Sequence, residues 1–350
     1  MNPFEAIRAN LASRPLCLDR APKKAAILTL MGVVATGLCL VASTRDALAQ
    51  AAYPDKTVKI VVGFPPGGAP DIAARLLGEK LREALGQSVV VENATGAGGN
   101  IAADRAAKSP PDGYTLLMAG NASIVVNLNL YEKLPYDPAK DLVPVSQVAT
   151  TPNILAVHPD VPAKTVAELV ALARSQPHHL TYGHGGIGIS QHLAGELFKH
   201  MAGVAVRPIG YRGATGVMPD LLAGRVSLCF CNIVNVLPLA QEGKLRALAV
   251  TSLKRTPSAP ELPTMDESGF LGFDATAWFG LMAPAGTPAL IVDKLHRETI
   301  KALAAPDLRK KFDELGMVPI GNSPTEFASV IKTETQYWEK IIKAIGLTAQ

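Results

Sequence analysis

The sequence predicts an α/β protein built as two lobes, and three observations carry that expectation. From Tyr53 onward, short apolar runs alternate with amphipathic helical stretches, the pattern of a parallel sheet with crossover helices. In each half of the chain a strand runs into a glycine-rich turn that opens a helix. At 350 residues the chain is long enough for two cores.

The elements follow in order. Strand 58–63 leads through Pro65-Pro66-Gly67-Gly68-Ala69-Pro70-Asp71 to a helix over 70–85 that stops at Gly86. Strand 88–92, a turn over 93–99, a helix over 100–107 and strand 114–119 complete a first set, with Pro110-Pro111-Asp112-Gly113 as turn chemistry. A loop rich in proline and aspartate, 134–141, precedes a long extended stretch, 142–157, suited to crossing between lobes. The second set is a helix over 166–175 capped by Thr165, strand 180–182, a helix over 191–201, strand 204–209 and a helix over 214–223. Strands 225–230 and 245–251 finish that sheet, and Thr264-Met265-Asp266-Glu267 has the capping-box pattern of a helix start. Strand 279–283 returns, and helices over 288–304, 306–315 and 324–345 end the chain. The last carries Phe327, Val330, Ile331, Trp338, Ile341, Ile342 and Ile345 at helical spacing, so it should dock on a lobe. The expected division is 53–150 plus 280–350 for one lobe and 151–279 for the other.

Residues 1–49 read as an export signal. Lys23 and Lys24 precede an apolar run, 25–42, and Ala47-Leu48-Ala49 is a small-x-small cleavage site before Gln50. The competing reading is an uncleaved anchor, since the run reaches the lower length of a membrane span. Cys39 follows Leu38, where a lipoprotein signal needs a small residue. The leader holds six Lys/Arg and three Asp/Glu out of 34 and 30, so the remainder carries 28 against 27, a net of +1. With no basic block, nucleic acid is not an expected partner. Cys17 and Cys39 leave with the leader, and Cys229 and Cys231, two apart in a strand, are expected on opposite faces and not bonded to each other.

The two glycine turns are the candidate site. Ala69 falls at the N-cap of the first helix and is a poor cap, which leaves the amides of Asp71 and Ile72 open to an external acceptor such as a carboxylate. Water is the alternative acceptor. Asp71 either braces the turn or meets an amino or hydroxyl group of a ligand, and bracing is favoured. In the second turn, Gly183-His184-Gly185-Gly186-Ile187-Gly188-Ile189-Ser190, the serine is expected at the N-cap of helix 191–201, with a second role as donor to an anion. Gly183, Gly185 and Gly188 also satisfy G-x-G-x-x-G, so an exported α/β enzyme or nucleotide binder stays open as the alternative. Against it, strand 204–209 does not end in the acid that would hold a ribose.

Catalytic chemistry is not expected. A nucleophile elbow needs glycine two residues after Ser190, where His192 stands. His178, His179 and His184 lack metal-site spacing, and His192 with Glu196 reads as a surface pair. No cofactor and no metal are expected.

Several stretches together resemble one family. They are Tyr53-Pro54-Asp55-Lys56, Phe64 to Asp71 with Ala74-Arg75, Gly96 to Asn100, Pro111 to Leu116, Gly188-Ile189-Ser190 with His192-Leu193, Tyr211-Arg212-Gly213, Gly243 to Thr251 and Ala283 to Pro288. In order and over nearly everything after the leader, they resemble the periplasmic solute-binding proteins of tripartite tricarboxylate transporters, the Bug family. The resemblance implies a two-lobed periplasmic-binding-protein fold (Venus-flytrap, type II-like) that closes on a small organic anion. It implies delivery to integral-membrane transporter subunits or, in a third reading, to a sensor kinase, and a monomer in the periplasm. The ligand residues it implies are Phe64, Gly67, Gly68, Ala69 and Asp71 in the first turn, partly through water, and Gly188, Ile189 and Ser190 in the second. Asn121, Tyr211 and Cys231 are expected along the cleft. The chain departs from the family at Ala69 and Pro70, often Ser or Thr, and at Ser227 and Cys231, often Asp. The missing acids imply a mono- or dicarboxylate without an ammonium group.

Overall fold

The computed structural model describes residues 53–348, and the leader with Cys17, Cys39 and the cleavage site lies outside the described residues. Two sheets organise the chain. The first has six strands and the second five.

In the first sheet, β1 (Val58–Val62) pairs in parallel with β2 (Val89–Asn93) and β3 (Thr115–Gly120). The crossovers are α1 (Ala69–Leu85) and α2 (Asn100–Ala107). β10 (Ala277–Pro284) lies antiparallel between β3 and β4 (Leu142–Thr151), and β11 (Val318–Pro319) edges the sheet. In the second sheet, β6 (Thr181–His184) runs parallel to β7 (Arg207–Gly210) and β8 (Leu228–Asn232). β5 (Asn153–Val157) runs antiparallel to β8 and to β9 (Arg246–Val250). Its helices are α3 (Val166–Ser175), α4 (Ser190–Ala202), α5 (Ala214–Leu222) and α6 (Ile233–Gln241).

The extended stretch after residue 141 does cross. β4 ends and β5 begins with Pro152 alone between them. The return passes through Ala275, whose amide donates to Thr251 O, and then enters β10. Helices α7 (Ala289–Ala304), α8 (Pro306–Glu314) and α9 (Pro324–Ile345) follow. A full capping box, Ser323 with Glu326, starts α9, which packs on β4 and on the helical turns at 122–130. Its far side also reaches α4, so it touches both sheets' helices. Phe327, Trp338 and Ile342 are its buried residues, as the helical spacing required.

Three local expectations are corrected. The capping pattern at Thr264 makes both its bonds, Glu267 N to Thr264 Oγ1 at 2.9 Å and Thr264 N to Glu267 Oε2 at 2.8 Å. No helix follows, because Gly269 turns left-handed at φ +96. Residues 233–241, not expected to be helical, form α6 with Pro238 inside it. Finally, Cys229 and Cys231 share one face, since side chains two apart in a strand do. Both are fully buried and free in the apolar cluster of Ile154, Val217 and Val236.

Candidate functional site

Four helices begin at one cavity. α1 starts after Gly68, α4 after Ile189, α5 after Gly213 and α6 after Asn232, and at none of them does a side chain cap the first turn. The cavity is lined by Gly68 to Pro70, Ile189 to Gln191, Gly213 to Thr215 and Asn232. Phe64, Asn121 and Phe279 close it from the first sheet. Among the described residues no charged side chain lines it. Each start carries roughly half a positive charge, worth about 0.3–1 kcal/mol to an anion at its tip, and first-turn amides without a side-chain acceptor, although Ile233 N of α6 already donates to Pro152 O at 3.1 Å. The site is therefore electropositive through its backbone.

Both helix starts lie one residue earlier than expected. Gly68, not Ala69, is the N-cap of α1, with Pro70 in the first turn, and Ile189, not Ser190, is the N-cap of α4. In both, the cap residue is extended and its own carbonyl opens the helix (Ile72 N to Gly68 O, 3.0 Å; Leu193 N to Ile189 O, 3.0 Å). Ser190 thus sits in the first helical turn, 4 % exposed, and its hydroxyl has no partner among the described residues. Asn121 is equally buried and its Nδ2 is also unpaired. Both line the cavity.

A family model described as the tripartite tricarboxylate transporter family receptor matches residues 73–347. The chain belongs to this family. The receptor is 39 % identical over 319 residues, 90 % of its length and 95 % of the relative's, to the UPF0065 protein in the tcbD-tcbE intergenic region of Pseudomonas sp. (strain P51). To protein BugT of Bordetella pertussis it is 37 % identical over 295 residues, 84 % and 90 % of the two chains. Among solved structures it resembles R. palustris Rpa4515 with adipate, at TM-score 0.82 and 39 % identity over 85 % of this chain and 99 % of that one. It also resembles MatC (Rpa3494) from Rhodopseudomonas palustris with bound malate, at TM-score 0.79 and 33 % identity over 83 % and 100 %. The fold is the two-lobed α/β fold of these periplasmic binding proteins.

The remaining expected residues take different places in the receptor. Asp71 braces the first turn: it accepts from Gly67 N at 3.0 Å, Asn93 Nδ2 at 2.8 Å and Arg75 Nε at 3.0 Å. Burial opposes its ionisation, yet those hydrogen bonds hold its carboxyl below the usual range. Gly67 is exposed at the rim, where its carbonyl accepts from Asn235 Nδ2 of the second lobe at 3.4 Å. Gly188 adopts φ +79 and packs against Asn127 of the first lobe. Tyr211 donates to Asp220 Oδ2 at 2.6 Å and lines an outer space, not the inner cavity. Cys231 lies under the sheet, away from the cavity.

Among the described residues no group of three or more His, Cys, Asp or Glu could hold a metal. His192 is not at the surface: it is 6 % exposed, its ring lies 4.5 Å from that of His184 at a tilt of 42°, and it accepts from Gly188 N through Nδ1 at 3.3 Å. Burial pushes its pKa down to about 4, so it stays a neutral acceptor for the turn. Glu196 accepts from Tyr182 and Lys199. Gly183 and Gly185, two of the fingerprint glycines, make room for α5: a Cβ on them would fall 2.5 Å from Val217 Cγ1 and 2.4 Å from Gly213 C.

Sequence reasoning missed Gln191, Thr215 and Asn232. Thr215 follows the Tyr211-Arg212-Gly213 stretch, whose glycine before a helix was the available signal. Asn232 was hidden because α6 was not expected to begin there.

Proposed function

We propose that the protein is a periplasmic receptor that captures a small organic carboxylate between lobes 53–150 plus 280–350 and 151–279. It then delivers that anion to membrane transporter subunits, acting as a monomer exported through a leader cleaved near Ala49. It is not an enzyme in this reading. The observation that carries the proposal is the convergence of four uncapped helix starts on one uncharged cavity. Such a site recognises negative charge through its backbone, and no His, Cys, Asp or Glu in the lining stands by as a base to activate the Ser190 or Thr215 hydroxyl. Relatives solved with adipate and with malate support the carboxylate. The lack of any Asp or Glu in the lining disfavours an ammonium group, because nothing there would pair with it.

Closure needs only that the ligand bind the closed arrangement more tightly than the open one. Calorimetric titration of ligand-free protein with malate, adipate and aspartate tests this reading. Heat of binding from a simple dicarboxylate, with aspartate weaker, is expected. Binding of none of the three overturns it, and stronger binding of aspartate overturns the preference against an ammonium group.

A further inference from the structure

Beyond the inner cavity the lobes enclose a second, larger space of about 990 Å³, mouth included. Phe64, Pro65 and Gly213 belong to the walls of both spaces. At that partition the lobes touch: a Cβ on Gly213 would lie 2.6 Å from Pro65 Cδ.

The outer chamber has an electrostatic character of its own. Among the described residues no Asp or Glu lines it, and Arg212 is the one charged lining residue. The Arg212 guanidinium makes no ion pair or hydrogen bond with any described residue, and neither does the Tyr131 hydroxyl on the opposite wall. The amides of Gly96, Ala97 and Gly98, which also line the chamber, find no acceptor among the described residues. All three have positive φ (137°, 47° and 63°). Donors from both lobes thus stand around an open space without an acid among them.

We propose that this chamber is a second anion site in series with the first. Arg212 and Tyr131 hold a carboxylate there before the Pro65–Gly213 partition parts and admits it to the four helix starts. The inference rests on the carboxylate reading above. Past the leader the chain has a net charge of only +1, so no strong global field draws an anion in. Screening limits such attraction to roughly 8 Å in physiological salt, so the capturing charge must sit at the mouth. A rim cation of this kind acts on association more than on dissociation.

Stopped-flow tryptophan fluorescence with malate and with adipate, at low and high ionic strength, tests the proposal. Arg212→Ala should slow association at least about threefold at low salt and flatten its salt dependence, with dissociation changed less than about twofold. Arg212→Lys should keep most of the rate, and Tyr131→Phe should lose part of it. Thermal unfolding checks that each variant folds, and Arg212→Gln gives the same comparison should alanine fail. Unchanged association overturns the chamber's role, as does a loss found wholly in dissociation, which would make Arg212 a contact of the bound complex. If wild-type protein binds neither acid, the carboxylate reading itself has failed and this inference falls with it. Normal wild-type binding with unaltered variant rates sinks the chamber alone.

Discussion

Asn232 Nδ2 donates to Asn153 Oδ1 at 2.8 Å, joining the last residue of β8 to the first residue of β5. Asn153 in turn satisfies its other polar groups within the protein. It is fully buried, its amide donates to Thr251 Oγ1 at 2.9 Å, and its Nδ2 donates to Ala275 O at 2.8 Å. One side chain therefore ties both interlobe crossings to a residue that lines the cavity.

Asn153→Ala should cost about 1–3 kcal/mol, because it leaves the buried Asn232 Nδ2 without a partner and the Ala275 carbonyl with only the Thr251 hydroxyl at 3.4 Å. Urea unfolding followed by circular dichroism measures it. A loss below about 0.5 kcal/mol would mean that these bonds do not secure the crossings.

Gly188→Ala should fold and fail to close. A Cβ at Gly188 would lie 2.3 Å from Asn127 Oδ1 across the cleft. The positive φ adds strain of about 1 kcal/mol. Gly203→Ala supplies the control, since Gly203 has φ +62 with nothing within 4 Å of the new atom. Carboxylate affinity should fall at least about tenfold in the first variant and stay near wild type in the second. Small-angle scattering should show ligand-induced compaction in the control and not in Gly188→Ala, and equal compaction in both would dismiss the contact as a closing one.

Ser190→Ala should weaken carboxylate binding by about 0.5–1.5 kcal/mol, the net worth of one hydrogen bond. Its hydroxyl does not cap α4, so the melting temperature should scarcely change. Calorimetry and thermal unfolding read the two effects separately. A drop in melting temperature with unaltered affinity would assign the hydroxyl a structural duty.

Glu334 offers a pH-dependent test. It accepts from Trp278 Nε1 at 2.7 Å, and burial pushes its pKa up to about 7 from an ordinary 4.5. Between those values the folded chain holds a proton that the unfolded chain has released, so this group's contribution is lost as pH rises toward 7. Glu334→Gln stays neutral and keeps an acceptor for Trp278. It should match wild type near pH 4.5 and exceed it above pH 7 by roughly 1–3 kcal/mol. His192, lowered to about 4, acts in the opposite sense, with stability lost as pH falls from about 6.5. The difference between variant and wild type cancels that contribution. An advantage that is constant with pH would show that Glu334 is ionised in the folded protein.

Much of the frame was legible because periodicity and turn residues agreed. Helices 100–107, 166–175 and 324–345 have the expected bounds, each with local cues: glycines before the first, and the Thr165 and Ser323 caps of the others. Legibility failed where local signals compete. Ile233 to Leu237 reads as more apolar strand, and Pro238 reads as a breaker, so α6 was hidden although a proline in the second turn of a short helix loses few bonds. The site suffered from the same gap. Two of its four helix starts were read from glycine-rich turns, whereas the start at Asn232 has no glycine and the one at Ala214 was read only as a helix. Which residues touch across the cleft, such as Gly188 with Asn127, is a property of closure that no local pattern encodes.

The proposed recognition of charge by main-chain amides also bears on how this receptor can diverge. A point substitution cannot delete a peptide N–H, short of proline, so preference for acids is inherited with the scaffold itself. What remains free to drift is the shape of the enclosure, set by side chains such as Asn121, Thr215 and Phe279. New specificities in such a lineage should therefore arise as changes in the length and outline of the acid accepted, while its sign stays fixed.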